Sequence, residues 1–481
     1  MGNTVRFILD GELVELENID PTRTVLQYLR EDLRRKGSKE GCAEGDCGAC
    51  TVVVAEKVNS GDGIELRAIN SCIQFLPTLH GKELITVESL QPRGGALHPV
   101  QQAMVENHGS QCGFCTPGFV MSLFALYESN DKPSRTEIDD ALAGNLCRCT
   151  GYRPIVAAAN AMYELPVPAG SPIHSEQLAA LDASDSLSIE FRGKRFFAPV
   201  SNEELAGLLA AHQDATILAG GTDVGLWVTK QHRILDTVIY TGRVAELNSL
   251  NETDSHLEIG AAVTLTDAMR LLTAHYPQLD ELFRRFASPP IRNAGTLGGN
   301  IANGSPIGDS MAALMVAGCT LILESTDGQR ETTLEDFYID YQVKDLRPGE
   351  FVATVRIPKL ADGCILHSHK LSKRFDQDIS AVCTAYRLKL DDGKVTDFAM
   401  ACGGMAATIK RASNCEQVLI GAEWNPASIE QAKQALARDF APISDMRASA
   451  EYRLLATQNL LQRFYLESVG EYEQTVYDYG R

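Results

Sequence analysis

The first 90 residues show the alternation of apolar and polar side chains that is typical of half-buried β-strands. Residues 5–16 alternate on both sides of Asp10-Gly11, a dipeptide favoured in tight hairpin turns. β-Branched runs at 51–54 and 85–87 predict further strands. An apolar face with helical spacing follows Pro21 and comprises Val25, Leu26, Tyr28, Leu29 and Leu33. Residues 1–90 are therefore expected to form a small α+β domain.

The pattern then changes from strand spacing to helical spacing. Apolar positions with helical spacing recur at 100–105, 118–127, 138–142 and 154–163. A run rich in proline and glycine follows at 165–172 and is typical of an interdomain linker. We expect an all-helical domain at 91–165 and a linker at 166–187.

The remainder of the chain is mixed. Strand patterns at 351–357, 381–390 and 397–401 and helical patterns at 429–436 and 448–465 surround a turn near 358–363. The turn divides this part into two α+β domains, at 188–360 and 361–481. The fold class predicted for the whole chain is multidomain α+β.

Composition excludes several classes of function. The chain has 481 residues and a net charge of −19, which argues against binding to nucleic acid or to anionic membranes. No apolar run reaches the 18 or so residues that span a bilayer, and the N-terminus lacks the pattern of a secretory signal. A cytoplasmic protein that binds neither nucleic acid nor membrane is expected.

Cysteines are the unusual feature, because eight of the 13 lie in the first 149 residues. Clustered cysteines in a reducing cytosol indicate metal binding or catalysis rather than disulfides. Cys42, Cys47 and Cys50 have the spacing C-x4-C-x2-C, and Cys72 follows at a distance. This is the plant-type [2Fe–2S] pattern. Three nearby glycines, Gly41, Gly45 and Gly48, would let a short loop direct backbone N–H groups at sulfur.

A second cysteine group contains Cys112, Cys115, Cys147 and Cys149. Its C-x2-C half is shared with zinc sites and thioredoxin-like redox pairs, whereas its C-x-C half is tight for zinc. Each half precedes a predicted helix start, whose dipole would stabilise thiolates. From spacing alone the group predicts a second [2Fe–2S] cluster, with zinc or a redox disulfide as alternatives.

The segments 111–118 (QCGFCTPG) and 145–154 (NLCRCTGYRP) resemble the helical [2Fe–2S] domain of the molybdenum hydroxylases. This family includes xanthine dehydrogenases, aldehyde oxidoreductases and molybdenum-type carbon monoxide dehydrogenases. The resemblance implies a second [2Fe–2S] cluster in the helical domain. It also implies that a β-grasp, plant-type ferredoxin domain precedes the helical domain, and the two cysteine motifs of this chain occur in that order.

Two glycine-rich stretches lie downstream, at 218–225 and 293–309. Neither is a Rossmann fingerprint or a P-loop, and such stretches alone are more often turns than ligand sites. Both resemble the FAD-binding domain of the same family, in which FAD lies in a crevice between subdomains. The resemblance implies these FAD-binding residues: Ala219, Gly220, Gly221, Thr222, Asp223, Val224, Gly225 and Leu226 in the first stretch, and Thr296, Gly299, Asn300, Asn303 and Asp309 in the loop formed by the second.

Further roles follow from the same resemblance. Phe286 corresponds to an aromatic that covers the flavin ring, and Lys370 to a lysine near the flavin. Residues 373–378 correspond to a mobile charged loop, and Tyr341 to an aromatic near the NAD+ site. From the residues alone, Phe286 could equally be a core side chain and 373–378 a solvated turn.

Fusion of iron–sulfur and flavin domains without a molybdenum domain resembles the small subunit of two-chain bacterial xanthine dehydrogenases. The resemblance implies an α2β2 heterotetramer with a molybdopterin-binding large subunit, which alone would hold the molybdenum cofactor and hydroxylate xanthine or hypoxanthine. Electrons would pass through the helical cluster, the plant-type cluster and FAD to NAD+. The alternatives are an aldehyde or N-heterocycle oxidoreductase that uses O2 or a quinone, a non-catalytic electron-carrier module, and a zinc-dependent scaffold.

No catalytic residue for purine chemistry is expected in this chain, because its ten histidines form no recognisable catalytic motif. His367 and His369 alternate in a predicted strand, where one inward histidine is expected to be structural. Five other cysteines are expected to be ordinary buried thiols: Cys319, Cys364, Cys383, Cys402 and Cys415.

Overall fold

The computed structural model describes residues 1–58, 63–91, 95–167, 170–472 and 475–478. These residues divide into two compact units. The first unit contains 1–248, 264–266 and 287–296, and the second contains 249–263, 267–286 and 297–481. None of the helices in the described part of the chain is both long enough and apolar enough to cross a membrane.

The first unit begins with a five-stranded sheet. Its strands are β1 (Val5–Leu9), β2 (Glu12–Leu16), β3 (Thr51–Lys57), β4 (Ile64–Asn70) and β5 (Glu83–Ile85), in the order β2-β1-β5-β3-β4. β1 and β5 are parallel neighbours, and each end of the sheet is an antiparallel pair. The predicted hairpin at Asp10-Gly11 is present, with φ of 54° and 77° at these residues. The predicted helix after Pro21 is short, because α1 (Val25–Gln27) passes into a π-helical turn at Tyr28–Asp32.

Helices dominate the next segment. They are α2 (Pro99–Glu106), α3 (Thr116–Ser129), α4 (Arg135–Leu142) and α5 (Arg153–Ala161). Their apolar faces share one core with the inner face of β3. The segment expected to be a linker contains α6 (Ser175–Ala180), whose Leu178 is fully buried in that core. Pro168 and Ala169, which belong to the proline-rich run, lie outside the described residues.

A four-stranded sheet completes the first unit. Its strands are β6 (Leu187–Phe191), β7 (Lys194–Ala198), β8 (Thr216–Leu218) and β9 (Thr237–Tyr240), in the order β6-β7-β9-β8. Helices α7 (Asn202–Ala211) and α8 (Val224–Thr229) connect its parallel strands. Its buried side chains join those of β1 and β3 in one core.

The second unit has a five-stranded antiparallel sheet. Its strands are β10 (Leu250–Glu252), β11 (His256–Gly260), β12 (Thr320–Ser325), β13 (Gly328–Thr333) and β16 (Phe351–Pro358), in the order β10-β11-β16-β12-β13. A separate pair is formed by β14 (Tyr338–Asp340) and β15 (Val343–Lys344). The helices of this region of the chain are α9 (Leu265–His275), α10 (Asp280–Arg284), α11 (Pro289–Arg292), α12 (Leu297–Asn303), α13 (Asp309–Ala317) and α14 (Leu334–Phe337).

The C-terminal part is a sheet covered by helices. Its strands are β17 (Ile365–Leu371), β18 (Val382–Asp391), β19 (Lys394–Gly403) and β20 (Lys410–Arg411), paired in chain order. Its helices are α15 (Ser413–Leu419), α16 (Pro426–Asp439) and α17 (Ala450–Ser468). Tyr386 of β18 stacks on Phe464 of α17 at a centroid distance of 4.4 Å, in the middle of the core. The strands and helices expected here are present. β19 and α16 extend beyond their predicted bounds at both ends, whereas β18 and α17 begin and end later than predicted.

Candidate functional site

Four thiols of the first cysteine group converge in the first unit. The loop 41–50 supplies Cys42, Cys47 and Cys50, and Cys72 comes from the turn after β4. Cys42 is hydrogen-bonded to Cys47 and to Cys72, and Cys72 is hydrogen-bonded to Cys50. All four are free thiols, and Cys50 and Cys72 are buried. The structure therefore brings together the four residues that the spacing selects.

The loop around these thiols has the conformation that sulfur ligation needs. The backbone N–H groups of Glu44 and Cys47 donate to Cys42 Sγ at 3.5 and 3.4 Å. Gly45 has φ of +83°, which side-chain-bearing residues rarely adopt. A Cβ at Gly41 would lie 2.7 Å from Cys47 Sγ. The N–H donors suit anionic sulfur, so the donor set fits an iron–sulfur cluster.

The close approach of these thiols shifts their pKa values in opposite directions. Hydrogen bonds with Cys47 and Cys72 lower the pKa of Cys42, and the same bonds raise the pKa of Cys47 and of Cys72. A hydrogen bond with Cys72 lowers the pKa of Cys50 despite burial. Two of the four thiols, Cys42 and Cys50, are therefore favoured as thiolates, which is the form that binds metal.

The second cysteine group is also assembled, with its two halves interleaved. Cys112 is hydrogen-bonded to Cys149, and Cys115 is hydrogen-bonded to Cys147. Cys112 and Cys149 are exposed, whereas Cys115 and Cys147 are half-buried. A redox disulfide between Cys112 and Cys115 would not account for the contact of each of them with a thiol of the other half.

Local backbone positions these thiols. Cys115 is the N-cap of α3, which begins two residues earlier than its apolar pattern indicates. Thr150 donates its backbone N–H to Cys147 Sγ at 3.4 Å, and its Oγ1 lies 3.1 Å from the same sulfur. A backbone hydrogen bond from Phe114 lowers the pKa of Cys112, and burial raises the pKa of Cys115 to about 12.

The segments that carry the two cysteine groups contact each other directly. Leu146, next to Cys147, donates its backbone N–H to the carbonyl of Cys47 at 3.0 Å. Asn145 Nδ2 donates to the carbonyl of Gly48 at 3.1 Å, and Ser122 Oγ donates to Asn145 Oδ1 at 2.6 Å. A Cβ at Gly48 would lie 2.2 Å from the carbonyl oxygen of Gly144. The helical segment therefore packs directly on the loop of the first group.

The first glycine-rich stretch forms a turn between β8 and α8. A Cβ at Gly220 would lie 1.9 Å from the carbonyl oxygen of Ala294, and Gly221 has φ of +74°. Burial raises the pKa of Asp223 in this turn. The small residues of this turn therefore allow close backbone packing.

Helix α8 also lies against the first cysteine loop. Thr229 Oγ1 donates to the carbonyl of Ala43 at 2.8 Å, and Lys230 Nζ donates to the carbonyl of Cys42 at 2.8 Å. A Cβ at Gly225 would lie 2.4 Å from the carbonyl oxygen of Ile73, the neighbour of Cys72. Sequence reasoning missed Ile73, Thr229 and Lys230, because their contacts join segments far apart in the chain.

The second glycine-rich stretch differs from the expected loop. Gly299, Asn300 and Asn303 lie on helix α12, and Thr296 directly precedes it. The helix forms because Leu297 and Ile301 are buried one turn apart. Asn300 Oδ1 accepts a hydrogen bond from Ser310 Oγ at 2.7 Å.

Asp309 and Lys370 form a buried ion pair in the second unit. Lys370 Nζ lies 2.5 Å from Asp309 Oδ2, and both side chains are at most 3% exposed. Ser380 Oγ donates to Asp309 Oδ1 at 2.7 Å. The carbonyl of Lys370 accepts a hydrogen bond from the buried Arg285 at 2.9 Å. Asp309 and Lys370, which were both predicted at the flavin site, therefore bind each other in this structure.

The remaining expected flavin and nucleotide residues lie in connecting segments. Phe286 follows α10 and is half-buried. Tyr341 is 59% exposed in the turn between β14 and β15. In the charged segment 373–378, the backbone N–H groups of Lys373 and Arg374 both donate to Asp378 Oδ2 at 2.9 Å.

The other cysteines agree with their prediction as plain thiols, with one difference. Cys319, Cys383, Cys402 and Cys415 are buried and free, whereas Cys364 is only half-buried. Burial raises the pKa of each of the buried four. His367 and His369 lie on one face of β17, since residues two apart in a strand share a face.

Comparison with known protein families covers most of the chain. Residues 7–75 match the 2Fe-2S iron-sulfur cluster binding domain, and residues 86–160 match the [2Fe-2S] binding domain. Residues 189–360 match the FAD binding domain in molybdopterin dehydrogenase. Residues 367–468 match the CO dehydrogenase flavoprotein C-terminal domain. The chain belongs to the molybdenum hydroxylase family. Both expected [2Fe–2S] domains and the FAD-binding domain of this family are confirmed, as is the multidomain α+β fold class.

Individual relatives of this chain belong to the same family. The chain is 32% identical to xanthine dehydrogenase from Emericella nidulans, covering 98% of this chain and 39% of the relative. It is 30% identical to xanthine dehydrogenase/oxidase from Gallus gallus, covering 97% and 40%. It is also 30% identical to aldehyde oxidase 1 from Bos taurus, covering 97% and 39%. The chain therefore spans about two fifths of the length of these members of the molybdenum hydroxylase family.

Two solved structures share part of the fold. A chain of carbon monoxide dehydrogenase from Hydrogenophaga pseudoflava is 27% identical with a TM-score of 0.53, covering 56% of this chain and 94% of the other. A chain of quinoline 2-oxidoreductase from Pseudomonas putida 86 is 24% identical with a TM-score of 0.54, covering 59% and 100%. At 24% identity, the similarity to quinoline 2-oxidoreductase shows a shared fold and nothing more.

Proposed function

We propose that the chain is the electron-transfer subunit of a xanthine dehydrogenase. A molybdopterin-binding partner would hydroxylate xanthine or hypoxanthine, and the electrons would cross this chain to reduce NAD+. The proposal rests on the four family domains and on the xanthine dehydrogenases among the relatives. When bound, [2Fe–2S] clusters exchange single electrons and FAD exchanges one or two, so the combination links one-electron relay to two-electron chemistry.

One observation carries the proposal. Within the first unit, contacts run without interruption from the second cysteine group to the first glycine-rich turn. Leu146 bonds to Cys47, and Thr229 and Lys230 bond to the loop that holds Cys42. These contacts place the plant-type domain between the helical domain and the flavin turn, which suits a relay that passes through them in that order.

We assign the cofactor-binding residues accordingly. Cys42, Cys47, Cys50 and Cys72 would hold one cluster, and Cys112, Cys115, Cys147 and Cys149 the other. Residues 219–226 would bind the FAD diphosphate from a turn, and Thr296, Gly299, Asn300 and Asn303 would bind it from α12 and the residue that precedes it. Asp309 and Lys370 would act as a pair, because opening their ion pair would leave a buried charge unpaired. Tyr341 is free of the core and would contact NAD+.

The domains that carry these roles would be 1–90, 91–165, 188–360 and 361–481. We propose that the partner docks on the second of them, in an α2β2 heterotetramer. Phe114, Leu146 and Tyr152 are 45%, 44% and 38% exposed and lie within five residues of the second cysteine group. Exposed apolar side chains beside the exposed Cys112 and Cys149 suit an interface that delivers electrons there.

The test uses the chain purified with its co-expressed partner. We expect about four irons and one FAD per chain, from two [2Fe–2S] clusters. NADH should bleach the flavin and iron–sulfur absorbance, and xanthine should do the same only when the partner is present. Zinc in place of iron, or a colourless protein, would refute the cofactor assignment.

A finer measurement checks the ligands. Cys147→Ala should abolish one of two electron-spin signals of the reduced protein and leave the other signal and FAD unchanged. Cys319→Ala, at a buried thiol outside both groups, is the matched control and should keep both signals. Two surviving signals in Cys147→Ala would contradict the ligand assignment.

The similarity to aldehyde oxidase 1 supports a second candidate, an aldehyde or N-heterocycle oxidoreductase that uses O2 or a quinone. Turnover of the complex with an aldehyde but not with xanthine, together with no bleaching by NADH, would favour it.

A further inference from the structure

Two histidines and a glutamate meet in the C-terminal part of the second unit. His367 and His369 project from the same face of β17, and Glu467 comes from the last turn of α17. His369 Nε2 lies 2.8 Å from Glu467 Oε2, and His367 Nε2 lies 3.7 Å from the same oxygen. One ligand atom from each residue falls within 4.8 Å of the other two.

A hydrogen bond to Glu467 accounts for the position of His369 but not for that of His367. The distance from His367 to Glu467 is too long for a hydrogen bond. Both Nδ1 atoms are buried and without a hydrogen-bond partner in the part of the chain that the structure describes. His369 is only 4% exposed, so its second nitrogen is an orphaned polar atom in the core.

The neighbours of the cluster hold its side chains in place. Arg463 Nε donates to Glu467 Oε1 at 2.7 Å, which orients the carboxylate and leaves Oε2 directed at the histidines. The ring of Phe464 lies 6.0 Å from that of His367, and the ring of Tyr386 lies 5.7 Å from that of His369. These two rings pack against the histidines.

We infer that His367, His369 and Glu467 bind a divalent cation of the zinc class, with water as the fourth ligand. Two imidazole nitrogens and one carboxylate are a donor set that Zn²⁺ favours. Bonds of about 2.0–2.1 Å in a tetrahedron separate neighbouring ligands by about 3.4 Å. The two histidine–glutamate separations of 2.8 and 3.7 Å lie on either side of that value. All three ligand atoms lie within 4.8 Å of one another, so side-chain adjustments of about an ångström would bring them to tetrahedral spacing.

The cation would tie the first strand of the C-terminal sheet to the end of its last helix, across 98 residues of chain. Its effect would be structural, since a ligand that binds only the folded state stabilises that state. The inference goes beyond the proposed function, because none of these residues takes part in holding the clusters or FAD.

The test uses the holoprotein, with iron and FAD loaded, so that the eight cysteines of the two groups are occupied. After dialysis with one equivalent of ZnCl2 and gel filtration, we expect about one zinc per chain and a rise of several degrees in Tm. His367→Gln combined with His369→Gln should abolish both effects. His275→Gln is the matched control, because His275 pairs with Glu252 at 3.4 Å without a second histidine, and it should retain both. Equal zinc content in wild type and double variant would overturn the inference.

A second variant guards against misfolding. Glu467→Gln keeps the shape of the side chain and should weaken zinc binding at least 10-fold with an unchanged circular dichroism spectrum. Trp424 reports on the site, because its Nε1 donates to Ser468 Oγ at 2.9 Å, next to Glu467. With Trp227→Phe as background, Trp424 is the only tryptophan. ZnCl2 should change its emission in this background and not after Glu467→Gln. An unchanged emission in both, with no zinc retained, would overturn the inference.

Discussion

At the scale of single residues, Gly48 shows why the first cysteine loop depends on glycine. Its φ is +67°, and a Cβ there would lie 2.2 Å from the carbonyl oxygen of Gly144. Gly118 makes the same approach from α3, where a Cβ would lie 2.0 Å from the carbonyl oxygen of Gly48. Three glycines therefore permit the contact between the two cysteine-bearing segments.

Gly48→Ala should separate these segments. We expect a cost on the order of 3 kcal/mol from overpacking and from the left-handed backbone together. Iron content should fall from about four toward about two per chain, because the first loop can no longer close on its cluster. Iron analysis and urea unfolding measure both effects.

Gly193→Ala is the control for backbone strain alone. Gly193 has φ of +85° in the turn between β6 and β7, and no atom lies within 4 Å of the Cβ position. It should cost about 1 kcal/mol and keep all its iron. If Gly48→Ala also kept its iron, the close contact would not be needed to hold the cluster.

Asp445 provides a pH-dependent contribution in the C-terminal domain. Burial opposes ionisation, but backbone N–H groups of Arg447 and Ala448 and the guanidinium of Arg453 outweigh it and lower the pKa of Asp445. Arg453 Nη2 lies 2.7 Å from Asp445 Oδ1, and Arg453 is buried. A lowered pKa in the folded state favours folding at pH values above the ordinary aspartate range.

Asp445→Asn should therefore destabilise the C-terminal domain at pH 7 by about 1 kcal/mol, the scale of a hydrogen bond to a charge after reduction by solvent screening. The difference from wild type should stay constant down to about pH 5 and close as the pH falls through the lowered pKa. Urea unfolding followed by Trp424 emission, in the Trp227→Phe background, measures it. Asp362→Asn, in an exposed turn, is the control and should change little. A difference that widened in acid would contradict the assigned sign.

At the scale of elements, α8 connects the flavin turn to the first cysteine loop. Its Gly225 packs on the carbonyl oxygen of Ile73, and its C-terminal end bonds to Cys42 and Ala43 through Lys230 and Thr229. The helix has only six residues, so packing rather than intrinsic propensity stabilises it.

Gly225→Ala should displace α8, because the new Cβ would lie 2.4 Å from a backbone oxygen that cannot move aside easily. We expect FAD content to fall several-fold while iron content stays near that of wild type. Gly207→Ala in α7 is the matched control, since nothing lies within 4 Å of its Cβ position. That variant should gain up to about 1 kcal/mol from helix propensity and keep its FAD. Full FAD in Gly225→Ala would show that the turn does not depend on this contact.

The same elements show what the sequence can and cannot predict. The hairpin at Asp10-Gly11 and the C-x4-C-x2-C loop depend on neighbours in the chain, so their patterns sufficed. The stretch 293–309 was expected to be a loop because of its glycines, yet α12 forms there. Gly298 is small because a Cβ would lie 2.3 Å from that of Ala261, a tertiary reason that no local pattern shows. The meeting of His367 and His369 with Glu467 is hidden for the same reason, since 98 residues separate strand and helix.

At the scale of the whole molecule, the second cysteine group is more exposed than the first. Cys112 and Cys149 are exposed, whereas Cys50 and Cys72 of the first group are buried. In the proposed function the partner would cover this group and shield its thiolates from solvent. The exposed Phe114 and Leu146 flank this group and would form the apolar centre of that interface.

Phe114→Asp combined with Leu146→Asp should therefore weaken binding of the molybdopterin-binding partner by about 10-fold or more, as expected for central apolar positions of an interface. Pull-down of the co-expressed partner measures the loss, and iron and FAD analysis of the variant shows whether the chain itself is intact. Ile234→Asp is the matched control, because Ile234 is 76% exposed in the same unit and lies away from both cysteine groups in the chain. It should retain the partner.

If the double variant kept its cofactors and bound the partner as tightly as wild type, electrons would have to enter through another face. If NADH still bleached the unbound variant while xanthine did not, the flavin end of the relay would be intact and only the docking would be lost.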